Sequence, residues 1–390
     1  MNIAITHSSL NLCGGAERLS IFMAQTLQDA GNRVAIATLD KTNWSQIQKK
    51  FGLTFKPHEE FFLLSNKFET DSFFKRGLLT LASLFVNTTL LKLKRYDLII
   101  NTSGEVVNFR GDIVYINAVP FVAGFNSFRG IPIENIRWRC FSKALNVGLR
   151  VIDKVNRHSL LLTNSKFNAH IIKKSFDSQA LVIYPPVEVK RFIPLSKKRR
   201  REDLILSANR VRPGKNLEII PKVAKSVKNS TFLMVGPSDK ASEKTILKLQ
   251  KCVKQYDVQD RVQLLTNKPI SFLEKAMSEA KIFFHTQNSE AFGMAVVEAM
   301  AAGCVPVVPR SGGPWFDILD CKQGLYGFSY SSVDEAAKII DRLLKDDKLR
   351  ETVAARARKR ALMFDSSIFE RKILDLVNNV SKRKFERKTE

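Results

Sequence analysis

Short apolar runs alternate along the chain with stretches whose apolar positions recur at helical spacing. Runs at 3–6, 33–38, 98–101, 113–116 and 160–164 read as strands. A helix is expected over 16–30, stopped by Gly31-Asn32. A second set of strands begins near residue 204, at 204–207, 231–235, 262–264, 282–285 and 305–308. Helices are expected between them at 217–227, 242–255, 270–279 and 295–302. This strand–helix rhythm implies parallel sheets with helices on both faces. The chain closes with helices expected at 333–345, 349–363 and 368–380, then a polar, frayed tail over 381–390.

The pattern divides the chain into two α/β domains. Tyr184-Pro185-Pro186-Val187 and the basic run Lys197-Lys198-Arg199-Arg200-Arg201 stand between the sets, and paired prolines with a charge block mark a boundary. The expected organisation is a first domain over 1–187, a linker over 188–203, a second domain over 204–364, and a C-terminal helix with a basic tail over 365–390 that returns to the first domain. The basic run reads as a solvated linker in preference to an anion site. No internal repeat is evident. Two such domains offer a cleft at the C-terminal ends of their strands, where open α/β sheets bind ligands. The residues just after strands therefore carry the chemistry.

Composition narrows the picture. The chain has 390 residues, 44% of them hydrophobic and 26% charged, enough for large cores and unlike a disordered chain. Its five cysteines are scattered without metal-ligand spacing, which fits a reducing compartment and argues against a disulfide scaffold. There is no signal peptide pattern at the start and no apolar run long enough for a spanning helix. The formal charge of +25 suggests an anionic partner: a phosphorylated substrate, a membrane face or nucleic acid.

Four segments follow strands. Asn11-Leu12-Cys13-Gly14-Gly15-Ala16-Glu17-Arg18 opens a helix, where glycines permit close backbone approach and the helix start favours an anion. Arg210 and Lys215 share the loop after the first strand of the second domain, and together suit a diphosphate whose charge grows as it leaves. His285 to Glu298 runs from a strand into a helix, with the amides of Phe292 and Gly293 placed for an anion. Read as one helix, Glu290 and Glu298 would stand ~80° apart around the axis and ~12 Å apart along it. That is too far for a glycosidase pair at roughly 5–9.5 Å, but suits two ends of one elongated ligand. Ser311-Gly312-Gly313-Pro314 precedes a helix start and suits a phosphate or sugar; Asp317 reads as a first-turn helix residue.

Together these residues resemble a GT-B glycosyltransferase of family 4, the retaining nucleotide-sugar transferases. The resemblance covers nearly the whole chain. Its most specific element is Glu290 to Glu298 with seven residues between, followed by Ala299-Met300-Ala301-Ala302-Gly303. Within the family, His285-Thr286, Glu290-Ala291-Phe292-Gly293, Ser311-Gly312-Gly313-Pro314 and Gly14-Gly15-Ala16-Glu17-Arg18-Leu19 are similar to α-mannosyltransferases that extend lipid-linked oligosaccharides. The resemblance implies an α/β GT-B fold, two Rossmann-like domains facing across a cleft. It implies GDP-mannose as donor, with UDP-sugars as the alternative, and a polyprenyl-linked or other glycan acceptor. Arg210 and Lys215 would neutralise the donor diphosphate, Glu290 would bind hydroxyls of the transferred sugar, and Phe292 and Gly293 would offer main-chain donors. Glu298 would hold the ribose, and Gly14 and Gly15 would approach the phosphates and the acceptor. Same-face attack, with the leaving phosphate as base, needs no protein nucleophile.

One departure stands out. Asn117 occupies the place where many relatives carry a histidine near the reacting sugar, and an amide cannot shuttle a proton near neutral pH. His7 is a candidate substitute, though a strand-end packing role competes, as it does for His285. No D-x-D is present, so no essential metal is expected, nor any other cofactor. Basic residues flank apolar ones over 73–95 and 137–143, which suits an anionic membrane interface and a peripheral place on the cytoplasmic membrane face. The competing classes are a nucleic-acid binder, for which no reading motif is found, a nucleotide-sugar epimerase, and a non-catalytic assembly subunit motivated by Asn117.

Overall fold

The computed structural model describes residues 1–52, 55–65, 91, 96–103, 111–118, 159–197, 200–201 and 203–389. The two segments expected to meet a membrane, apart from Leu91, lie outside them. Two compact units emerge, one of Met1–Tyr184 with Phe369–Glu390, the other of Pro185–Ile368.

In the first unit the described strands are β1 (Asn2–Thr6), β2 (Arg33–Asp40), β3 (Glu59–Leu64), β4 (Leu98–Asn101), β5 (Ile113–Ile116), β6 (Leu160–Thr163) and β7 (Leu181–Val182). They form one parallel sheet in the order β3-β2-β1-β4-β5-β6-β7. Ile3 stands opposite Val34 on one side and Leu98 on the other. The second unit repeats the plan with β8 (Leu204–Ala208), β9 (Thr231–Gly236), β10 (Val262–Thr266), β11 (Ile282–Phe284), β12 (Val305–Pro309) and β13 (Phe328–Tyr330). Their order is β10-β9-β8-β11-β12-β13, again parallel. Inner strands such as β8 and β12 are buried along their whole length, as a parallel sheet covered on both faces requires. β3, β7 and β13 were not among the expected strands. They are sheet-side additions, short or part-exposed, with weak apolar signals.

In both sheets the strand order reverses beside the first strand, between β1 and β4 and between β8 and β11. Ligands of open α/β sheets bind outside the carboxyl ends of the strands at such a point. The loops after β1, β4, β8 and β11 are thereby singled out by topology alone.

Helix ends follow local chemistry. Ser165 and Ser332 accept from Asn168 N and Glu335 N, satisfying first-turn donors of the helices Lys166–Phe176 and Val333–Lys345. The helix Ser366–Thr389 places Phe369, Ile373 and Val377 in the core of the first unit, against Tyr115 and Phe22. It continues through the stretch expected to fray. Lys384 Nζ donates to Asp97 O and Asp112 Oδ1, both at 2.8 Å, which anchors the last turns.

The described residues of the stretch expected to be a linker are structured and belong to the second unit. It holds the helix Val189–Phe192 and a tight turn over Ile193–Lys197, with Val189 and Phe192 buried. Arg200 is half-buried. Its guanidinium donates to the carbonyls of Met277, Ala280 and Ala302, groups that a helix end leaves without intrahelical partners.

Candidate functional site

The loop after β8 starts with a close crossing. Asn209 N donates to Val235 O and Val211 N to Pro237 O, laying the loop against the end of β9. Gly236 makes this possible, because a Cβ there would run into the Asn209 carbonyl oxygen. Gly214 (φ +86°) and Asn216 (φ +51°) then turn the chain around Lys215. Arg210 sits half-buried on this loop, and Arg212 is ion-paired with Asp239.

The loop after β11 meets it. Lys215 Nζ donates to Glu290 Oε2 at 3.0 Å and also to Gln287 Oε1, while Thr286 Oγ1 donates to Lys215 O at 2.6 Å. One lysine thus ties three residues of the β11 loop to the β8 loop. Burial alone would raise the Glu290 carboxyl, but the charge of Lys215 beside it outweighs that and holds it below the usual range. His285 is 2% exposed, and burial pushes its ring down to about 4, so it is neutral near pH 7. Neither of its ring nitrogens has a hydrogen-bond partner among the described residues.

The loop after β12 supports the second from behind. Gly313 N donates to Glu290 O at 2.8 Å and Ser311 Oγ accepts from Ser289 N at 3.1 Å. Gly312 has φ +73°, and a Cβ on it would lie 2.6 Å from Glu290 O; one on Gly313 would lie 2.7 Å from Phe292 Cα. These glycines let one backbone press against another. They hold the backbone at Glu290 in place.

Glu290 lies ahead of the helix Met294–Ala301, separated from it by Gly293 at φ +98°. The helical-wheel spacing expected for Glu290 and Glu298 therefore does not apply. Glu298 is within the helix and 7% exposed. The Phe292 ring is buried against Phe364, centroids 5.4 Å apart, which leaves its main chain as the polar feature.

In the first unit, Gly14, Gly15, His7 and Asn117 all follow strands of one sheet edge. Gly14 precedes the helix Gly15–Asp29, and its N–H is held by Glu17 Oε2 at 2.5 Å. His7 Nδ1 contacts Ser20 Oγ at 3.0 Å and Thr102 Oγ1 at 3.1 Å, and its Nε2 lies 3.7 Å from Glu17 Oε1. Asn117 Nδ2 donates to Thr102 O at 3.0 Å, linking the ends of β4 and β5. A buried polar network thus joins the loops after β1, β4 and β5. No pattern in the sequence singles out Gln287, Gly236, Ser20 or Thr102. A glycine or short polar residue directly after a strand was the available signal.

Residues 189–360 match the family model for glycosyl transferases group 1. This stretch is a group 1 glycosyltransferase domain. It lies within the second unit and carries Arg210, Lys215, Glu290, Phe292, Gly293 and Glu298. The chain is similar to a Dictyostelium discoideum protein named GDP-Man:Man(3)GlcNAc(2)-PP-Dol alpha-1,2-mannosyltransferase, at 28% identity over 63% of this chain and 53% of that one. A Homo sapiens protein of the same name is 30% identical over 52% of this chain and 44% of its own. The chain spans about half the length of these curated relatives. Among solved structures, a sucrose-phosphate synthase from Thermosynechococcus elongatus superposes with a TM-score of 0.78 at 16% identity, over 97% of this chain and 99% of that one. The fold is the α/β fold of GT-B glycosyltransferases, with this domain as one of its two Rossmann-like units. Among the described residues no group of three or more His, Cys, Asp or Glu gathers as a metal site, and no helix is long and apolar enough to cross a membrane.

Proposed function

We propose that this chain is a retaining hexosyltransferase that moves mannose from GDP-mannose onto a lipid-linked oligosaccharide. The names of its relatives support the donor and the acceptor class. The observation that carries the chemistry is the Lys215–Glu290 pair, 3.0 Å apart on loops that follow β8 and β11. A cation and an acceptor-only carboxylate side by side match the two halves of a nucleotide sugar at its scissile bond: phosphate oxygens on one side, hydroxyls on the other.

In this reading the bond between the sugar C1 and the diphosphate oxygen breaks, and the acceptor hydroxyl bonds to C1 on the same face. The hydroxyl proton passes to the leaving phosphate. Lys215 and Arg210 balance the charge that grows on the diphosphate, a role worth about 10²–10³ in rate for one such group. Glu290 takes sugar hydroxyls, Phe292 and Gly293 give main-chain N–H groups, and Glu298 takes the ribose. Gly14 and Gly15 serve the phosphates and the acceptor, while Asn117 and His7 contact sugar or acceptor. Side-chain cations do the work a metal does elsewhere, so turnover is expected to survive a chelator.

The basic chain is also proposed to rest peripherally on an anionic membrane face, bringing it to a lipid-borne acceptor. Binding to phosphatidylserine vesicles at low salt, lost as salt rises, is the expected result. The deciding experiment is calorimetry with GDP-mannose, UDP-glucose and UDP-N-acetylglucosamine on the wild type and Glu298→Ala. Selective GDP-mannose binding that the substitution abolishes supports the proposal. Selective binding of a UDP-sugar overturns the donor, and binding of none overturns the transferase reading.

A further inference from the structure

A long side chain is only as well placed as the main chain that carries it. The residues on both sides of Lys215, Gly214 at φ +86° and Asn216 at φ +51°, lie in the left-handed region. Asparagine enters that region more readily than most residues, yet such a turn persists only where its surroundings hold it. Two main-chain contacts hold Lys215. Its N donates to Arg212 O at 3.2 Å, within the same loop. Its O accepts from Thr286 Oγ1 at 2.6 Å, and that contact refers Lys215 to a different loop. Thr286 is well supported for this. It is 0% exposed, so water does not compete for its hydroxyl, and its β-branched side chain has few rotamers. The residue before it is fixed on both sides: His285 N donates to Val307 O and His285 O accepts from Tyr330 Oη, both at 2.9 Å. A line of contacts therefore runs from β12 and β13, through the end of β11, to the Lys215 carbonyl.

We infer that Thr286 is a positioning residue for the transfer step, its hydroxyl fixing the Lys215 main chain so that the ammonium stands where charge grows on the leaving diphosphate. This inference rests on the transferase reading given above. Thr286 acts through Lys215 and touches neither donor nor acceptor. The ammonium hangs on a flexible four-carbon stem, and Gln287 and Glu290 hold its tip. One loop thus grips the lysine at both ends. The two grips differ in what a donor does to them. A diphosphate offers charged oxygens to the ammonium and competes with the contacts at its tip. The carbonyl contact is untouched by that exchange, so Thr286 keeps its hold while the ammonium is engaged. Precision of this kind matters to rate, since a displacement of about 1 Å costs on the order of 10²-fold.

The test is a double-mutant cycle read by GDP release from GDP-mannose, with a lipid-diphosphate-linked oligosaccharide as acceptor. Thr286→Val keeps the shape and removes the hydroxyl. It should lower kcat about tenfold, the scale of one hydrogen bond, and change KM for GDP-mannose by less than about twofold. Thr286→Ser, which keeps a hydroxyl, should recover most of that loss. In a Lys215→Ala background, Thr286→Val should cost nothing further, because the group it positions is gone. An equal loss in both backgrounds would show that Thr286 supports the fold without acting through Lys215, and the inference fails. It fails equally if Thr286→Ser is as impaired as Thr286→Val, or if Thr286→Val keeps full kcat. Should Thr286→Val not fold, as judged by its thermal melt, Thr286→Cys replaces it in the same cycle, with a weak donor in place of the hydroxyl and an intermediate loss expected. A wild type that neither binds GDP-mannose nor releases GDP from it overturns the proposed function and this inference with it; an active wild type that is indifferent to Thr286 overturns this inference alone.

Discussion

Lys215 and Glu290 keep 26% and 19% of their side chains exposed, so their pairing lies between a surface ion pair and a buried one. The expected cost of Lys215→Ala to stability is accordingly about 1–2 kcal/mol, below that of breaking a fully buried pair. Its cost to turnover should be larger, a loss of about 10²–10³ in kcat at saturating donor, because the lost cation matters most as charge develops. Steady-state kinetics beside urea unfolding separates the two. His285 makes a prediction of its own sign. Its folded value near 4 lies below the ordinary 6.5, so between these limits the unfolded chain binds a proton that the native state refuses. Stability supported by the neutral ring is complete above about pH 6.5 and falls as the pH drops towards 4, by on the order of 3 kcal/mol. His285→Phe should flatten that slope in urea titrations across the same range. Arg210, Lys215 and Glu290 were legible as candidates because cations and carboxylates after strands stand out, and Glu298 because of its spacing from Glu290. Thr286 and Gln287 were not, because their part depends on a lysine some seventy positions away, and a hydrogen bond across that distance leaves no periodic trace.

At the scale of elements, the inner strands were the easiest to read, since continuous apolar runs are what a doubly covered parallel sheet demands. Edge strands were harder. Glu59–Leu64 is part-exposed along its length and mixes acids with large apolar residues, a pattern that does not separate strand from loop. The loop after β12 shows glycines serving the packing of one backbone against another. Its glycines look made for a ligand, yet the space they leave is filled by the backbone around Glu290 and Phe292. Gly312→Ala should therefore weaken folding by about 2–3 kcal/mol, combining the positive φ with the overlap at Glu290 O. It should also weaken donor binding, because Glu290 must shift to make room. Chemical denaturation and calorimetry on the one variant test both halves. A variant that binds the donor normally would show that the loop does not set Glu290.

The whole chain is built as one α/β plan used twice, and that much follows from the order of apolar runs. Its final helix belongs to the first unit. Phe369, Ile373 and Val377 each expose 2% or less, packed under the first sheet beside Tyr115. Phe369→Ala is expected to cost about 3–5 kcal/mol, and protease digestion should then cut the first unit well before the second. The two ends of the second unit's stretch of chain are also fastened together. Val187 N donates to Phe364 O and Ser366 N donates to Val187 O, with Val187 and Asp365 bridged in parallel. In time, this arrangement sets an order of manufacture. The first unit is begun first on the ribosome but cannot complete its core until the helix Ser366–Thr389 has been translated. At about 5–20 residues per second, the intervening unit takes roughly 10–40 s to make. For that interval the first sheet waits with an open apolar face, while the second unit already has every residue it needs.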